Sequence, residues 1–293
     1  MRTAVLDIGG TAIKAGIFED GSLSGLKEFE TNAAFGGEHV MQSAVRILQE
    51  YGEFARIGVS TAGQVDTQKG RIKYANANIP GYTGMEIRDR LEEQFHVPVT
   101  VENDVNAAAI GEAHFGAGRQ YDDFLCLTYG TGVGGAIVIG GEVYHGSGYC
   151  AGEVGALLIH PEERDAIADK FSGCYEKYAS TTALVKRAMQ KDASLCDGRK
   201  IFAAMEKEEI REVIDAWIDE IVYGLASLVH IFNPPCIILG GGVMKQNYII
   251  EQLQKKLYRE IMESYRSVKL FSAELGNQAG LFGAAWLADR GAG

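Results

Sequence analysis

Thr3-Ala-Val-Leu-Asp-Ile-Gly-Gly-Thr-Ala-Ile-Lys14 decides how the rest of the chain is read. An apolar run ends in an acid, turns on two glycines and resumes at once. The pattern predicts a buried strand over 3–8, a turn at Gly9-Gly10 and a second strand over 12–18. A third strand near 23–30 completes a meander. Residues 38–51 follow as a helix, with Val40, Ala44, Ile47 and Leu48 at helical spacing. Arg56 to Ser60 reads as a strand, 84–95 as an amphipathic helix, Pro98 to Val101 as a strand and 104–115 as an Ala-rich helix. A meander followed by alternating helix and strand is an α/β layer built on a mixed sheet.

The pattern then restarts. Phe124 to Thr128 reads as a strand, Gly130 to Gly135 as a glycine turn and Ala136 to Ile139 as a strand. A short strand at 142–144 follows the Gly140-Gly141 hairpin. Residues 160–178 are irregular and charged; 180–191 and 207–232 read as helices. Cys236 to Leu239 is a strand ending in Gly240-Gly241-Gly242, and helix 247–262, strand 268–272 and helix 276–289 finish the chain. Strand, glycine turn and strand therefore occur twice, at Asp7-Ile-Gly-Gly-Thr11 and at Tyr129-Gly-Thr-Gly-Val-Gly-Gly135. Two such halves can clamp one polyphosphate; two ordinary hairpins would look the same.

The chain has 293 residues, a two-domain length. Its net charge of −11 argues against nucleic acid as a partner, because phosphate binding wants a basic face. No run of 18 apolar residues and no charged leader ahead of an apolar run occur, so neither a membrane span nor a signal peptide is expected. Five scattered cysteines, Cys126, Cys150, Cys174, Cys196 and Cys236, give no disulfide framework and no C-x-x-C pair. The expectation is a reduced, cytoplasmic protein. The 37 glycines, about 13% of the chain, stand out against a usual share of about 7%.

Glycine lets backbone N–H groups approach a bound anion and form a concave nest. Gly9, Gly10 and Thr11 suit one phosphate loop, and Gly130, Thr131, Gly132 and Gly134 a second. Asp7, at a strand end, suits Mg²⁺ held through water. Lys14 is read as pointing to solvent. Neither segment is a P-loop or a dinucleotide fingerprint, since a strand rather than a helix follows each. Gly240, Gly241 and Gly242, between a strand and a helix, permit close backbone approach to a base or ribose, or form a plain turn. Asn103 and Asp104 lie where a strand meets a helix, the end of an α/β sheet at which ligands bind. Either could simply cap the helix. Functionally, Asp104 would accept a sugar hydroxyl proton as that oxygen attacks a γ-phosphate, and Asn103 would fix a neighbouring hydroxyl. Glu102 is read as structural.

Together these residues resemble the ROK family of sugar kinases and repressors, over nearly the whole chain from Asp7 to Gly280-Leu-Phe-Gly-Ala284. The most specific stretch is Glu102-Asn-Asp-Val-Asn-Ala-Ala-Ala-Ile-Gly-Glu112, followed by Gly130 to Gly135, Ala151-Gly-Glu-Val-Gly155 and Leu239-Gly-Gly-Gly-Val243. The resemblance implies two actin/hexokinase-like (ribonuclease H-like) α/β domains with a nucleotide and sugar cleft between them. Residues 1–118, completed by the terminal helix 276–293, would form the sugar and phosphate side. Residues 119–275 would form the nucleotide and dimer side. The implied activity is phosphorylation of a hexose by ATP with Mg²⁺, usually at the 6-hydroxyl, in a homodimer.

By the same resemblance Asp104 matches the catalytic aspartate, and Asn103 and Glu153 match sugar-hydroxyl ligands. Gly63, Asn78 and Glu176 match further sugar-side positions. One departure is plain. The family's zinc site uses a His after the A-G-E-x-G motif and three cysteines; here those positions hold Ala156, Ile167, Asp169 and Cys174. One cysteine cannot close a tetrahedral site, so no zinc is expected. The zinc-less members that the chain resembles include β-glucoside kinases, and Ala156 would leave room for a bulkier hexoside unless Tyr149, Tyr175 or His160 fills the space. A repressor would need a helix-turn-helix ahead of the first glycine motif, which here begins at residue 7. A non-catalytic sugar sensor is the other alternative, disfavoured by Asp104 and both phosphate loops.

Overall fold

The computed structural model describes residues 1–291. The chain begins with β1 (Thr3–Ile8), β2 (Ala12–Glu19), β3 (Ser22–Glu30), α1 (Gly37–Gln49), β4 (Arg56–Thr61), β5 (Gln64–Asp66) and β6 (Arg71–Tyr74). It continues with α2 (Ile87–Phe95), β7 (Val99–Asn103), α3 (Asp104–Phe115), β8 (Phe124–Tyr129), β9 (Val133–Ile139) and β10 (Glu142–Val143). Helices α4 (Glu176–Ala179), α5 (Thr181–Lys191), α6 (Gly198–Ala203) and α7 (Glu208–Phe232) follow. Last come β11 (Cys236–Gly240), α8 (Asn247–Glu260), β12 (Lys269–Ser272) and α9 (Ala279–Arg290). Positions 292 and 293 of the expected terminal helix lie outside the described residues.

Two compact units emerge. The first comprises Met1–Arg119, Glu142–Ala151 and the chain from Asn277 on; the second comprises Gln120–Gly141 and Gly152–Gly276. Residues 142–151, which the expected division put with the second domain, thus group with the first. The His145 imidazole ties them there, to the Glu102 carboxylate at 2.8 Å.

In the first unit the strand order is β3-β2-β1-β4-β7. The meander is antiparallel, and β1, β4 and β7 run parallel. Strand β1 is apolar without alternation because both its faces are covered. Ala4, Leu6 and Ile8 join a core with Val40, Ala44 and Leu48 of α1 and Leu91 of α2. Val5, on the opposite face, packs with Leu281 and Ala285 of α9. Helix α9 also packs on α3. There Gly283 lets the two backbones touch, because a Cβ on it would overlap the Ala107 carbonyl.

In the second unit β9-β8-β11-β12 are neighbours, antiparallel at β8/β9 and parallel beyond. The apolar stripe of α7 is core: Ile214, Trp217, Ile221 and Leu225 are fully buried. The Trp217 indole N–H donates to the Ala179 and Ser180 carbonyls, both at 3.0 Å, which fastens the α4–α5 corner. All five cysteines are free thiols.

Some expectations needed correction. The turn between β8 and β9 ends at Gly132, so Gly134 and Gly135 lie inside a strand. Gly135 is there for packing, since its Cβ would crowd Val154 and the Gly152 carbonyl. Helix α2 starts at Ile87 rather than 84, because Gly84 has φ +85°. The β5–β6 hairpin and α6 were not anticipated. Both are too short to show a periodic pattern.

Candidate active site

The parallel strands of the first unit bring their carboxyl ends into one row. Asp7 pairs in register with Ser60, and Ser60 with Glu102, with Asn103 next along. The Ser60 hydroxyl donates to Asp7 Oδ1 at 2.8 Å. Sequence reasoning missed Ser60; the available signal was its place at the end of an apolar strand. Lys14 does not point to solvent. Its ammonium donates to Asp7 Oδ2 at 3.3 Å, because β1 and β2 pair Asp7 with Lys14.

Asn103 caps α3. Its side-chain oxygen accepts from the Val105 and Asn106 N–H groups at 3.0 and 3.1 Å. Its amide donates to the Gly63 carbonyl at 3.0 Å and to Asp104 Oδ1 at 2.9 Å. The cap therefore fixes Gly63 and Asp104 together. Gly63 sits at φ +99°, with the Tyr74 carbonyl only 3.0 Å from where a Cβ would lie, so only glycine fits. Asp104 Oδ1 also accepts from the Val105 N–H at 2.9 Å. Burial, and then the Asp7 carboxylate, push the Asp104 carboxyl up to about 7. A carboxyl poised there can take a proton near neutral pH.

Glu102, 2% exposed, accepts from the Asn103 N–H at 2.8 Å and the Asn106 amide at 3.1 Å, as well as from His145. It is structural, as read, and it anchors the start of α3. The hydrogen bond to Glu102 holds His145 above its ordinary value against the opposing effect of burial, helped by the charges of Glu102 and Glu142. Folding therefore favours the protonated imidazole. That stabilisation is complete below the ordinary histidine value and is lost as pH rises through the raised one. His145→Ala is expected to cost on the order of 1 kcal/mol at pH 6. The difference from wild type should shrink by pH 9 in urea unfolding, and a pH-independent difference would refute the assignment.

Gly9 donates its N–H to the Ala12 carbonyl at 2.9 Å. That N–H is spent within the turn, which leaves the Gly10 and Thr11 stretch as the exposed part of the loop. Asn78 lies on an exposed loop, its N–H turned back onto the Asn76 side chain at 3.0 Å.

The second unit gathers the other candidates. A Cβ on Gly132 would lie 2.7 Å from the Glu176 carboxylate, so Glu176 stands over the Gly130–Gly132 turn. Burial raises the Glu176 carboxyl, and the charge of nearby Glu153 adds to the rise. The turn itself is pinned by the Thr181 hydroxyl, which donates to the Tyr129 carbonyl at 2.9 Å. Gly241, at φ +115°, presses against that same Tyr129 backbone, so the glycine triplet Gly240–Gly242 lies beside the Gly130 turn.

The expected zinc positions offer no ligand set. Ala156 and Ile167 are exposed, and Asp169 pairs with Lys177 at 2.8 Å. A guanidinium holds that loop. Arg164 Nη1 donates to the Lys170 and Ser172 carbonyls at 2.7 and 2.8 Å and lies 3.4 Å from the Cys174 sulfur.

Comparison with known proteins matches residues 3–291 to the ROK family. A β-glucoside kinase of Listeria monocytogenes is 32% identical over 98% of this chain and 97% of its own. A glucokinase of Streptomyces coelicolor is 30% identical over 98% of this chain and 97% of its own. Among solved structures, a ROK family glucokinase from Streptomyces griseus in complex with glucose and AMPPNP is 30% identical. It covers 99% of this chain and 100% of its own, with a TM-score of 0.86. The two α/β units are thus of the actin/hexokinase-like kind that the sequence led us to expect.

Proposed function

This chain belongs to the ROK family and is a sugar kinase, and we propose that it moves the γ-phosphoryl group of ATP to the 6-hydroxyl of a hexose or hexoside. The observation that carries this reading is the Asp104 carboxyl at the start of α3. It is fixed through Oδ1 by Asn103 and Val105, and it sits near neutrality. Asp104 accepts the hydroxyl proton through Oδ2, the new P–O bond forms on the sugar oxygen, and the bond to the leaving ADP breaks. Asn103, Gly63 and Asn78 supply the sugar side in the first unit, and Glu153 and Glu176 are sugar ligands in the second.

Gly10, Thr11, Gly130, Thr131 and Gly132 cradle phosphates and Gly9 shapes the first of these loops through its bond to Ala12, while Gly240, Gly241 and Gly242 give the base and ribose close backbone approach. Gly134, partly buried near the start of β9, belongs to the same second phosphate loop. Asp7 fits Mg²⁺ held through water, since it offers a hard carboxylate partly open to solvent beside Lys14 and Ser60. The ion would neutralise phosphate charge there. The Asn103 amide also holds Gly63 and Asp104 in place.

We place the protein in the cytoplasm as a homodimer without nucleic-acid or membrane partners. Net charge −11 disfavours a nucleic-acid partner, and among the described residues no helix is long and apolar enough to cross a membrane. Exposed Tyr223 and Ile231 on α7 suit a dimer face. An ADP-release assay over hexoses and disaccharides tests the activity, and NMR of the product locates the phosphate. Sugar-independent or absent ADP release would overturn the kinase reading; phosphate elsewhere than O6 would overturn its position.

Zinc plays no part in this proposal, because Arg164 already closes the loop that a metal would hold. Dialysis against a zinc chelator, with Mg²⁺ returned, is expected to leave turnover and Tm unchanged. Arg164→Ala is expected to lower Tm by about 2–4 °C. Stoichiometric zinc in the purified protein would overturn this account.

A further inference from the structure

A groove of about 650 Å³ opens on the first unit, outside the residues assigned above. One wall is the Ala34–Glu38 stretch and the other runs from Pro80 to Glu86. Its volume falls in the usual range for small-molecule sites, about 300–1,000 Å³. The floor is built rather than accidental. The Gly37 N–H donates to the Pro80 carbonyl at 2.8 Å. Cβ atoms on Gly36 and Gly37 would both crowd the opposite backbone at 2.9 Å. Gly81 and Gly84, at φ +69° and +85°, meet nothing within 4 Å on the side a Cβ would occupy. Backbone thus lies bare along one wall.

Phe35 stands at the rim, 73% exposed, with its ring leaning on His39 at 5.2 Å. An aromatic side chain of this size is ordinarily buried. Glu38, on the same wall, pairs with Arg90 at 2.6 Å, and Glu86 adds a carboxylate to the other wall. An aromatic ring and charged groups lining one groove suit a sugar or aryl ring. The flat C–H face of a pyranose packs on the aromatic ring, and its hydroxyls face the ion pair.

The groove opens at the same end of the sheet as Asp104. The Thr31 hydroxyl, just before the Phe35 wall, donates to the Gly9 carbonyl at 2.7 Å. The other wall is tied back through Thr83, whose hydroxyl accepts from the Ala75 N–H at 3.0 Å. Ala75 in turn borders Gly63, which Asn103 holds. The Tyr82 hydroxyl, in that same wall, bonds Thr61 at 2.8 Å and feels the Asp104 charge.

We propose that this groove is a subsite for the second ring of a glycoside, with Phe35 as its stacking platform, so that a hexose carrying a second ring is preferred over the free hexose. The proposal rests on the kinase reading and adds to it the part of the substrate that does not react.

The test compares kcat/KM for glucose, cellobiose and phenyl β-glucoside in wild type, Phe35→Ala and Phe35→Tyr. Wild type should favour at least one glycoside over glucose. Phe35→Ala should lower the glycoside-to-glucose ratio about tenfold, and Phe35→Tyr should restore it. A gain for cellobiose alone identifies a sugar ring in the groove, and a gain for phenyl β-glucoside alone identifies an aryl ring. If glucose is phosphorylated but both glycosides are poorer, or if Phe35→Ala lowers all three equally, the subsite is overturned and the kinase reading stands. If no sugar is phosphorylated, the kinase reading fails and takes the subsite with it. Because Phe35 is exposed, an unchanged Tm should show that the variants are folded.

Discussion

Asp104→Asn is expected to slow phosphoryl transfer about 10²–10⁴-fold while making the fold more stable above pH 7. Both effects come from one carboxyl. In the proposed role of base it must lose its proton, and burial with the nearby Asp7 charge raises its folded-state value to about 7. A positioned base of this kind contributes about 10²–10⁴-fold to rate, so kcat should fall by that factor. Asparagine keeps an oxygen for the Asn103 and Val105 donors, so the start of α3 stays in place.

The stability sign follows from linkage. A carboxyl whose value is raised on folding binds its proton more tightly in the native state. The contribution is therefore complete below the unfolded carboxyl value and is lost as pH rises through about 7. Wild type carries a buried, repelled charge above that point; the variant does not. Tm of Asp104→Asn should exceed wild type by about 2 °C or more at pH 8, with the gap closing toward pH 4. Wild-type kcat/KM should also fall about tenfold per unit below the same midpoint. Near-normal turnover in the variant would sink the base assignment, and a Tm gap of opposite sign would sink the account of why Asp104 is poised there.

Much of this site was legible because its residues are local. Asp7 with its two glycines, and Asn103 with Asp104, each sit at a strand end that the apolar run announces, so a few consecutive residues carry the signal. Lys14 was misread for want of register. Only the β1–β2 pairing places it opposite Asp7. The groove at Phe35 was invisible for the same reason, since its walls are about 45 residues apart in sequence and meet only through Gly37 and Pro80. Arg164 gave no signal either. The sequence shows which zinc ligands are missing, but not that a guanidinium satisfies the carbonyls of that loop.

Glycine counts mislead in a way that a paired substitution exposes. Gly283→Val is expected to leave little folded protein, whereas Gly10→Ala should fold normally. At Gly283 a Cβ would run into the Ala107 carbonyl, carbonyl carbon and Cα, all of them α3 backbone. Gly111 faces the Ala279 carbonyl in the same way from α3, and Gly58 on β4 faces the Ala284 carbonyl, so α9 is wedged by glycine on two sides. No rotamer change relieves a clash with backbone; the helix itself must move. Overpacking typically costs about 1–3 kcal/mol when side chains can yield, and a larger loss is expected here. Moving α9 also exposes Leu281 and Ala285, which cover Val5. At Gly10, by contrast, a Cβ meets nothing within 4 Å and φ is not positive. Its Tm should match wild type, and only the KM for ATP should rise, because the methyl intrudes on the phosphate side of the turn. Thermal melts and soluble yield of the two variants decide the matter. A Gly283→Val protein that melts like wild type would refute the wedge, and a Gly10→Ala protein with unchanged kinetics would remove that glycine from the phosphate loop.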